Sequence, residues 1–252
     1  MKAQALSSSR RRSDLFLLDW LPLLVLIAAY EGLRDLVPLI NAPHHDLSWI
    51  DSDLFGGRIP SSWLQSHFYH PPSIDWEDTL ATITYFAYYL IPVVVGLVWW
   101  FKSRREYHRF AAALVTLCGL AFVTYVVMPT VPPWLAYPQS VDEITDATIL
   151  QWNLPSQLVA MYVGHDYNLY AAFPSLHAAF PVVLTYYGWL RSRMLGAVML
   201  AYALLVWISV VFLGEHYVVD IVGGIAYATA AVAIVEVVVR QRNARRRSPL
   251  TL

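Results

Sequence analysis

Charge is scarce in this sequence: Asp, Glu, Lys and Arg make up 14% of the 252 residues, while 58% are hydrophobic. Soluble domains carry about a quarter of their residues charged, so the balance excludes an ordinary water-soluble globule and points to a membrane protein. Cysteine is nearly absent. The single one, Cys118, lies inside the apolar run "FAAALVTLCGLAFVTYVVM"; this excludes an intramolecular disulfide and suits a small buried apolar residue. No internal repeat, and no low-complexity tract beyond a basic tail, divides the chain, so one domain over 1–252 is expected.

What is present is a series of apolar runs long enough to cross hydrocarbon, which takes about 20 residues at helical rise. Six spans are predicted near 15–40, 77–101, 109–129, 174–190, 194–213 and 217–239, the fourth being the shortest. Around them sit the basic segments "SSSRRR", "KSRREYHR", "RSR" and "RQRNARRR", whereas the alternate loops 41–76, 130–173 and 214–216 contain only Arg58. Cationic segments stay on the cytoplasmic side. The expectation is an all-α, polytopic six-transmembrane-helix bundle with N and C termini cytoplasmic and basic tails at 1–14 and 240–252. The first run follows three arginines, as a secretory signal would, but it is long and no small-residue cleavage pattern follows, so a retained helix is expected. Its Glu31, Arg34 and Asp35, at i, i+3 and i+4, pair on one face and neutralise each other near the outer end; alternatively, Arg34 contacts a phosphate. In the outward loops, dense Trp and Tyr suit the headgroup level, and "PSQLVAMY" predicts a short helix.

Two polar clusters open spans on the outward side. "AAFPSLHAAF" (171–180) opens the fourth and "GEHYVVD" (214–220) the sixth. His216 and Asp220 are four residues apart, so on a helix they share a face and the carboxylate accepts a hydrogen bond from one imidazole nitrogen. The other nitrogen is then left unprotonated, as a nucleophilic or basic histidine requires. Pro174 suits a first helical turn, and the N–H groups after it attract anions. A phosphate there would meet those donors and the Ser175 hydroxyl, with His177 as proton donor to a leaving oxygen. Taken singly, each residue looks like an interfacial side chain or a satisfied polar contact. Topology inferred from Lys and Arg alone nonetheless puts both clusters on one side of the membrane.

The outward loop 41–76 also holds His44, His45, Asp46, Asp51 and Asp53. These are cation ligands in kind but match no closed-site spacing, and no metal or other cofactor is expected. Gly223 and Gly224, with Ala226 and Ala228, mark close helix packing.

"PSLH" (174–177) followed by "SVVFLGEHYVVD" (209–220) resembles the type 2 phosphatidic acid phosphatase superfamily, whose members carry KxxxxxxRP, PSGH and SRxxxxxHxxxD. Pro174, Ser175 and His177 match the second motif with Leu176 for Gly, and Ser209, His216 and Asp220 match the third at the family's spacing. Two departures stand out. Val210 occupies the place of the third motif's Arg, and no Arg-Pro dipeptide occurs, so the first motif is absent. That loss is shared by the branch that moves a phosphorylated headgroup between lipids, including inositol phosphorylceramide synthase and sphingomyelin synthase. "LFGGRIPSSWLQ" and "FPSLHAAFPVV" look closest to the inositol phosphotransferase type and its bacterial relatives, which implies a bacterial cytoplasmic membrane with the site facing outward.

The resemblance implies that His216 attacks the substrate phosphorus to give a phosphohistidine while His177 protonates the departing alkoxide. Asp220 orients His216, and an acceptor hydroxyl or water then attacks with His177 as base. The implied substrates are a phospholipid or polyprenyl phosphate and a lipid acceptor, inside the membrane and with no nucleic-acid partner. Phosphoryl transition states are normally met by cations. A diester carries one negative charge where a monoester carries up to two, so a cation-poor site favours headgroup transfer over monoester hydrolysis. Arg58 and Arg34 are the cations left on that side, and one of them is expected to contact the phosphate. Two other readings stay open: a lipid phosphatase for phosphatidate or polyprenyl pyrophosphate, and a non-catalytic membrane transport protein whose polar residues line a cavity.

Overall fold

A computed structural model describes residues 15–26, 28–29, 32, 44–163 and 169–247. Glu31, Arg34 and Asp35 lie outside the described residues. The described elements are helices: α1 (Leu15–Leu26), then α2 (Ser48–Leu54), α3 (Pro60–Phe68), α4 (Trp76–Lys102), α5 (Arg104–Val127), α6 (Pro133–Ala136), α7 (Ile144–Gln151), α8 (Ser156–Tyr162), α9 (Leu176–Arg191), α10 (Arg193–Phe212) and α11 (Val218–Arg247). Among the described residues, four helices are long and apolar enough to cross a membrane: α4, α5, α10 and α11. The short helix predicted from "PSQLVAMY" is α8.

Helix boundaries depart from the apolar runs in instructive ways. "KSRREYHR" reads as a loop, yet only Ser103 separates α4 from α5; its N–H donates to the Trp99 carbonyl at 2.6 Å and its hydroxyl accepts from the Glu106 N–H at 3.4 Å. Ser192 does the same between α9 and α10, bonding back to Gly188 and forward to Leu195 at 3.1 Å. One serine ends one helix and caps the next. The basic residues after it are good helix formers and extend the helix past the apolar run. For the same reason α11 continues through "RQRNARRR" to Arg247.

At the end that carries the basic turns, ion pairs fasten the helices. The Asp19 carboxylate accepts from Arg104 and from the Trp100 indole, each at 2.8 Å, joining α1 to α4 and α5. Arg109 of α5 pairs with Glu236 of α11, and the Tyr187 hydroxyl of α9 donates to the Arg109 carbonyl at 3.1 Å.

α9 has 16 residues, roughly 24 Å at helical rise, short of the ~30 Å hydrocarbon thickness. It packs against α4, α5, α10 and α11, and its small or compact residues Ala178, Ala179, Pro181 and Gly188 are buried there. At the opposite end from the basic turns, Thr130 ties three outer segments together. Isolated bridges pair it with His45 and Ala171, and its hydroxyl accepts from the Phe173 N–H at 2.6 Å.

α9 and α11 pack tightly at Gly224, where an added Cβ would lie 2.3 Å from the Ser175 carbonyl and 3.2 Å from the Ala178 Cβ. Of the four small residues expected to pack closely, Gly224 has this role, Gly223 faces the Phe173 ring at 2.3 Å from an added Cβ, Ala228 is buried and Ala226 is exposed. Gly224→Ala is therefore expected to force the helices apart and to lower the thermal midpoint by several degrees, whereas Ala226→Gly leaves the close approach intact; equal midpoints for Gly224→Ala and the parent would refute the contact.

Candidate active site

The two polar clusters meet where α9 and α11 begin. α9 starts at Leu176, with Ser175 as its cap: the Ser175 hydroxyl accepts from the Ala178 N–H at 3.2 Å. Pro174 thus precedes the cap, whereas the sequence suggested it inside the first turn. Its carbonyl accepts from the Tyr125 hydroxyl at 2.8 Å. The Ser175 N–H donates to the Asp220 carbonyl at 3.1 Å, so the backbone itself joins the two motifs.

His177 Nδ1 lies 3.1 Å from His216 Nε2, and His216 Nδ1 lies 3.4 Å from Asp220 Oδ2. The second distance exceeds an ordinary hydrogen bond, and Oδ2 also accepts from the Tyr217 N–H at 2.9 Å. A carboxylate beside Nδ1 nevertheless favours the proton there and leaves a lone pair on Nε2. In that tautomer His177 Nδ1 is the donor across the 3.1 Å contact. The pair is largely closed to solvent, with His177 9% and His216 5% exposed, and Ser175 and Asp220 are fully buried. Tyr85 stacks on the His177 ring at 4.4 Å and Tyr88 lies against it at 4.2 Å, so two aromatic rings of α4 fix the imidazole plane.

His177, His216, Asp220 and Ser175 are brought together. Arg58 is exposed in the turn between α2 and α3, and no hydrogen bond or ion pair ties it to the histidines among the described residues; Arg34 lies outside the described residues. Val210 is fully buried in an apolar cluster with Ala178, Val206 and Leu213. Its carbonyl accepts from the Glu215 and His216 N–H groups at 3.0 and 3.2 Å, shaping the turn that presents His216.

Two acids that the sequence offered as cation ligands have other tasks. Both Asp51 oxygens accept backbone N–H groups at the start of α11, from Val218 at 2.8 Å and Val219 at 2.9 Å. Asp46 accepts from the Tyr217 hydroxyl at 2.9 Å and from Ser48. Burial raises the Asp51 carboxyl, against the lowering effect of those two N–H groups; burial acts the same way on Asp46, but its donors prevail and hold it below the ordinary range. His44 stacks on Tyr170 at 3.8 Å. Among the described residues, no group of three or more His, Cys, Asp or Glu is arranged to hold a metal ion.

Sequence reasoning missed the positioning role of Asp51 and also Gln65. The Gln65 amide donates to the Asp142 and Phe212 carbonyls at 2.9 Å each and accepts from the Asp142 N–H at 2.7 Å, clamping the end of α10 to the loop before α7. In the first turn of α7, Thr145 donates to Glu215 at 2.7 Å. Burial, helped by the charges of Glu215 and Asp146, pushes Glu143 up to about 8, and burial raises Glu215 as well. The surroundings of the histidine pair are rich in acids and poor in cations.

A family model described as the PAP2 superfamily matches residues 50–234. The phosphoinositol dihydroceramide synthase of Bacteroides thetaiotaomicron is 27% identical over 165 residues, covering 60% of this chain and 53% of that one. The chain thus spans about half the length of the curated relative it matches. No solved structure matches.

Two predictions arise from this geometry. Asp51→Asn puts an amide donor against one of two backbone donors, so a stability loss of about 1–3 kcal/mol is expected, and nitrogen NMR of the imidazoles should show His216 losing its single tautomer. An unchanged melting curve and spectrum would remove Asp51 from the site's support. Glu143 rises from an ordinary 4.5 to about 8 in the fold; its contribution is complete below about pH 4.5 and is lost as pH climbs through about 8. Thermal stability should decline across that window, and Glu143→Gln, which keeps a cap acceptor, should flatten the decline.

Proposed function

Because this chain belongs to the PAP2 superfamily, we propose that it is an integral-membrane lipid phosphotransferase, moving a phosphorylated polyol headgroup of the inositol phosphate type from a phospholipid to a lipid acceptor. The observation that carries the reading is the 3.1 Å contact between His177 Nδ1 and His216 Nε2 beside Asp220, in a site whose family cation position is the buried Val210. The name of the Bacteroides relative supports the headgroup class and a ceramide-type acceptor.

In the first step the donor phosphorus displaces the His177 N–H from His216 Nε2. The Nε2–P bond forms as the P–O bond to the diacylglycerol breaks, and His177, entering the step as imidazolium, gives one proton to the departing oxygen and is left neutral. Asp220 stabilises the positive charge that grows on His216. In the second step the acceptor hydroxyl passes its proton to His177 as its oxygen attacks phosphorus and the P–N bond breaks. The imidazole supplies the nucleophile, so the mechanism calls for no metal. Ser175, through its hydroxyl hydrogen, and Arg58 or Arg34 meet the phosphate charge. We place this chemistry in a single domain of six spans with both termini cytoplasmic and the site facing outward, in a bacterial cytoplasmic membrane. α9 and a first span containing α1 join the four long helices.

The test is to incubate purified protein with labelled phosphatidylinositol, phosphatidate or polyprenyl pyrophosphate, with and without a ceramide-type acceptor. Label should pass from phosphatidylinositol to the acceptor, appear on the protein when acceptor is withheld, and disappear from it in His216→Ala. Free phosphate released from a monoester without transfer would replace this reading by the phosphatase one, and equal turnover by His216→Ala would remove the mechanism. Replacing Arg58 and Arg34 together with Met is expected to abolish transfer, and full activity would exclude both as phosphate contacts.

A further inference from the structure

The face of α4 that meets His177 continues beyond the aromatic rings. Three residues before Tyr85 is Thr82, and four before that is Asp78, so Asp78, Thr82 and Tyr85 form one stripe rising roughly 10 Å along the helix. Both polar residues are 0% exposed. Asp78 Oδ2 accepts from the Asp75 N–H at 2.7 Å and so closes the start of α4. Asp78 Oδ1 and the Thr82 hydroxyl have no hydrogen-bond partner among the described residues, and neither has His177 Nε2. A buried helical threonine normally donates to the carbonyl four residues back, as Thr148 does to Ile144 at 2.8 Å and Thr185 to Pro181 at 2.7 Å. Thr82 does not.

Leaving a buried carboxylate oxygen and a hydroxyl unpaired is costly, the more so for a charge. The Asp78 end of the stripe lies near Tyr69: burial raises the Tyr69 hydroxyl, and the charges of Asp142, Asp78 and Glu143 add to that. A carboxylate oxygen accepts hydroxyl protons, and a threonine hydroxyl both gives and accepts. Phosphate oxygens offer nothing to Asp78 and would be repelled by it.

We propose that Asp78 and Thr82 form a hydroxyl-binding subsite next to the histidine pair, which takes the ring hydroxyls of a phosphorylated polyol headgroup while its phosphate meets His216. The subsite rests on the phosphotransferase reading above and names the part of the chain that selects the headgroup. His177 and His216 are also buried, at 9% and 5% exposed, so a bound headgroup must displace packing at the histidines and at the stripe alike.

The test compares the parent with Asp78→Asn, which keeps a cap acceptor but turns the second position into a donor, and with the isosteric Thr82→Val. Binding of two phosphodiesters, glycerophosphoinositol and glycerophosphoethanol, is measured by calorimetry on the detergent-purified protein. The parent should bind the inositol compound about tenfold more tightly than the ethyl one, and each variant should lose that preference while retaining the parent's melting curve and its affinity for glycerophosphoethanol. Equal binding of the two diesters by the parent, or a preference that survives in both variants, overturns the subsite. If a variant unfolds, a set of glycerophosphoinositols each lacking one ring hydroxyl decides on the parent alone: affinity that is the same for every member overturns the proposal. Turnover of phosphatidylinositol and phosphatidylethanol is followed alongside. Failure of the parent to transfer from either lipid sinks the phosphotransferase reading, while the binding arm still decides the subsite.

Discussion

The Ser175 N–H donates to the Asp220 carbonyl at 3.1 Å, and this backbone contact fixes where two helices begin relative to one another. It exists only because residue 224 has no side chain: a Cβ there would lie 2.3 Å from the Ser175 carbonyl. Both histidines ride on helix starts held by this contact, His177 one position into α9 and His216 two before α11. Their 3.1 Å separation is therefore a consequence of main-chain packing, and side-chain rotamers only refine it. The outer segments add a second restraint on the same pair, since Asp51 and Asp46 hold α11 and Tyr217 from α2 and the turn before it.

Electrostatics around the pair run against what a phosphate needs. Asp220, Asp51 and Glu215 cluster near His216, and Val210 contributes an apolar side chain where the family motif carries Arg. Under the proposed transfer, acids suit a histidine that becomes positive as it bonds to phosphorus, because the developing imidazolium is then compensated. They also disfavour a dianion more than a monoanion. The arrangement is coherent for a phosphodiester and much less so for a phosphomonoester.

The positions of the four long helices and the meeting of 174–177 with 214–220 were legible because each depends on local pattern: apolar runs, a serine at a helix start, an acid four residues after a histidine. The spacing also located His177, His216 and Asp220 without any knowledge of their partners across the fold. Boundaries were less legible, since the basic residues after Ser103 and before Arg247 are polar yet good helix formers, and polarity had suggested loops. Asp51 was invisible as a support because its partner Val218 lies 167 residues away, and an acid in a polar loop looks the same whether it binds a cation, water or a helix start. Gln65 was missed for the same reason, its two carbonyl partners lying 77 and 147 residues off.

The burial of the histidine pair has a chemical rationale under the proposed transfer. A phosphohistidine is open to attack by any hydroxyl, and water is far more abundant than a lipid acceptor. A transferase must therefore keep the intermediate dry until the acceptor is in place. A phosphatase gains from the opposite arrangement. With His177 and His216 exposed by 9% and 5% and two tyrosine rings packed on His177, the hydrogen bonds of Asp46, Asp51 and Gln65 do more than hold a shape. Under the proposed transfer they hold the outer segments against the turn that carries His216, the residue at which solvent would divert the reaction.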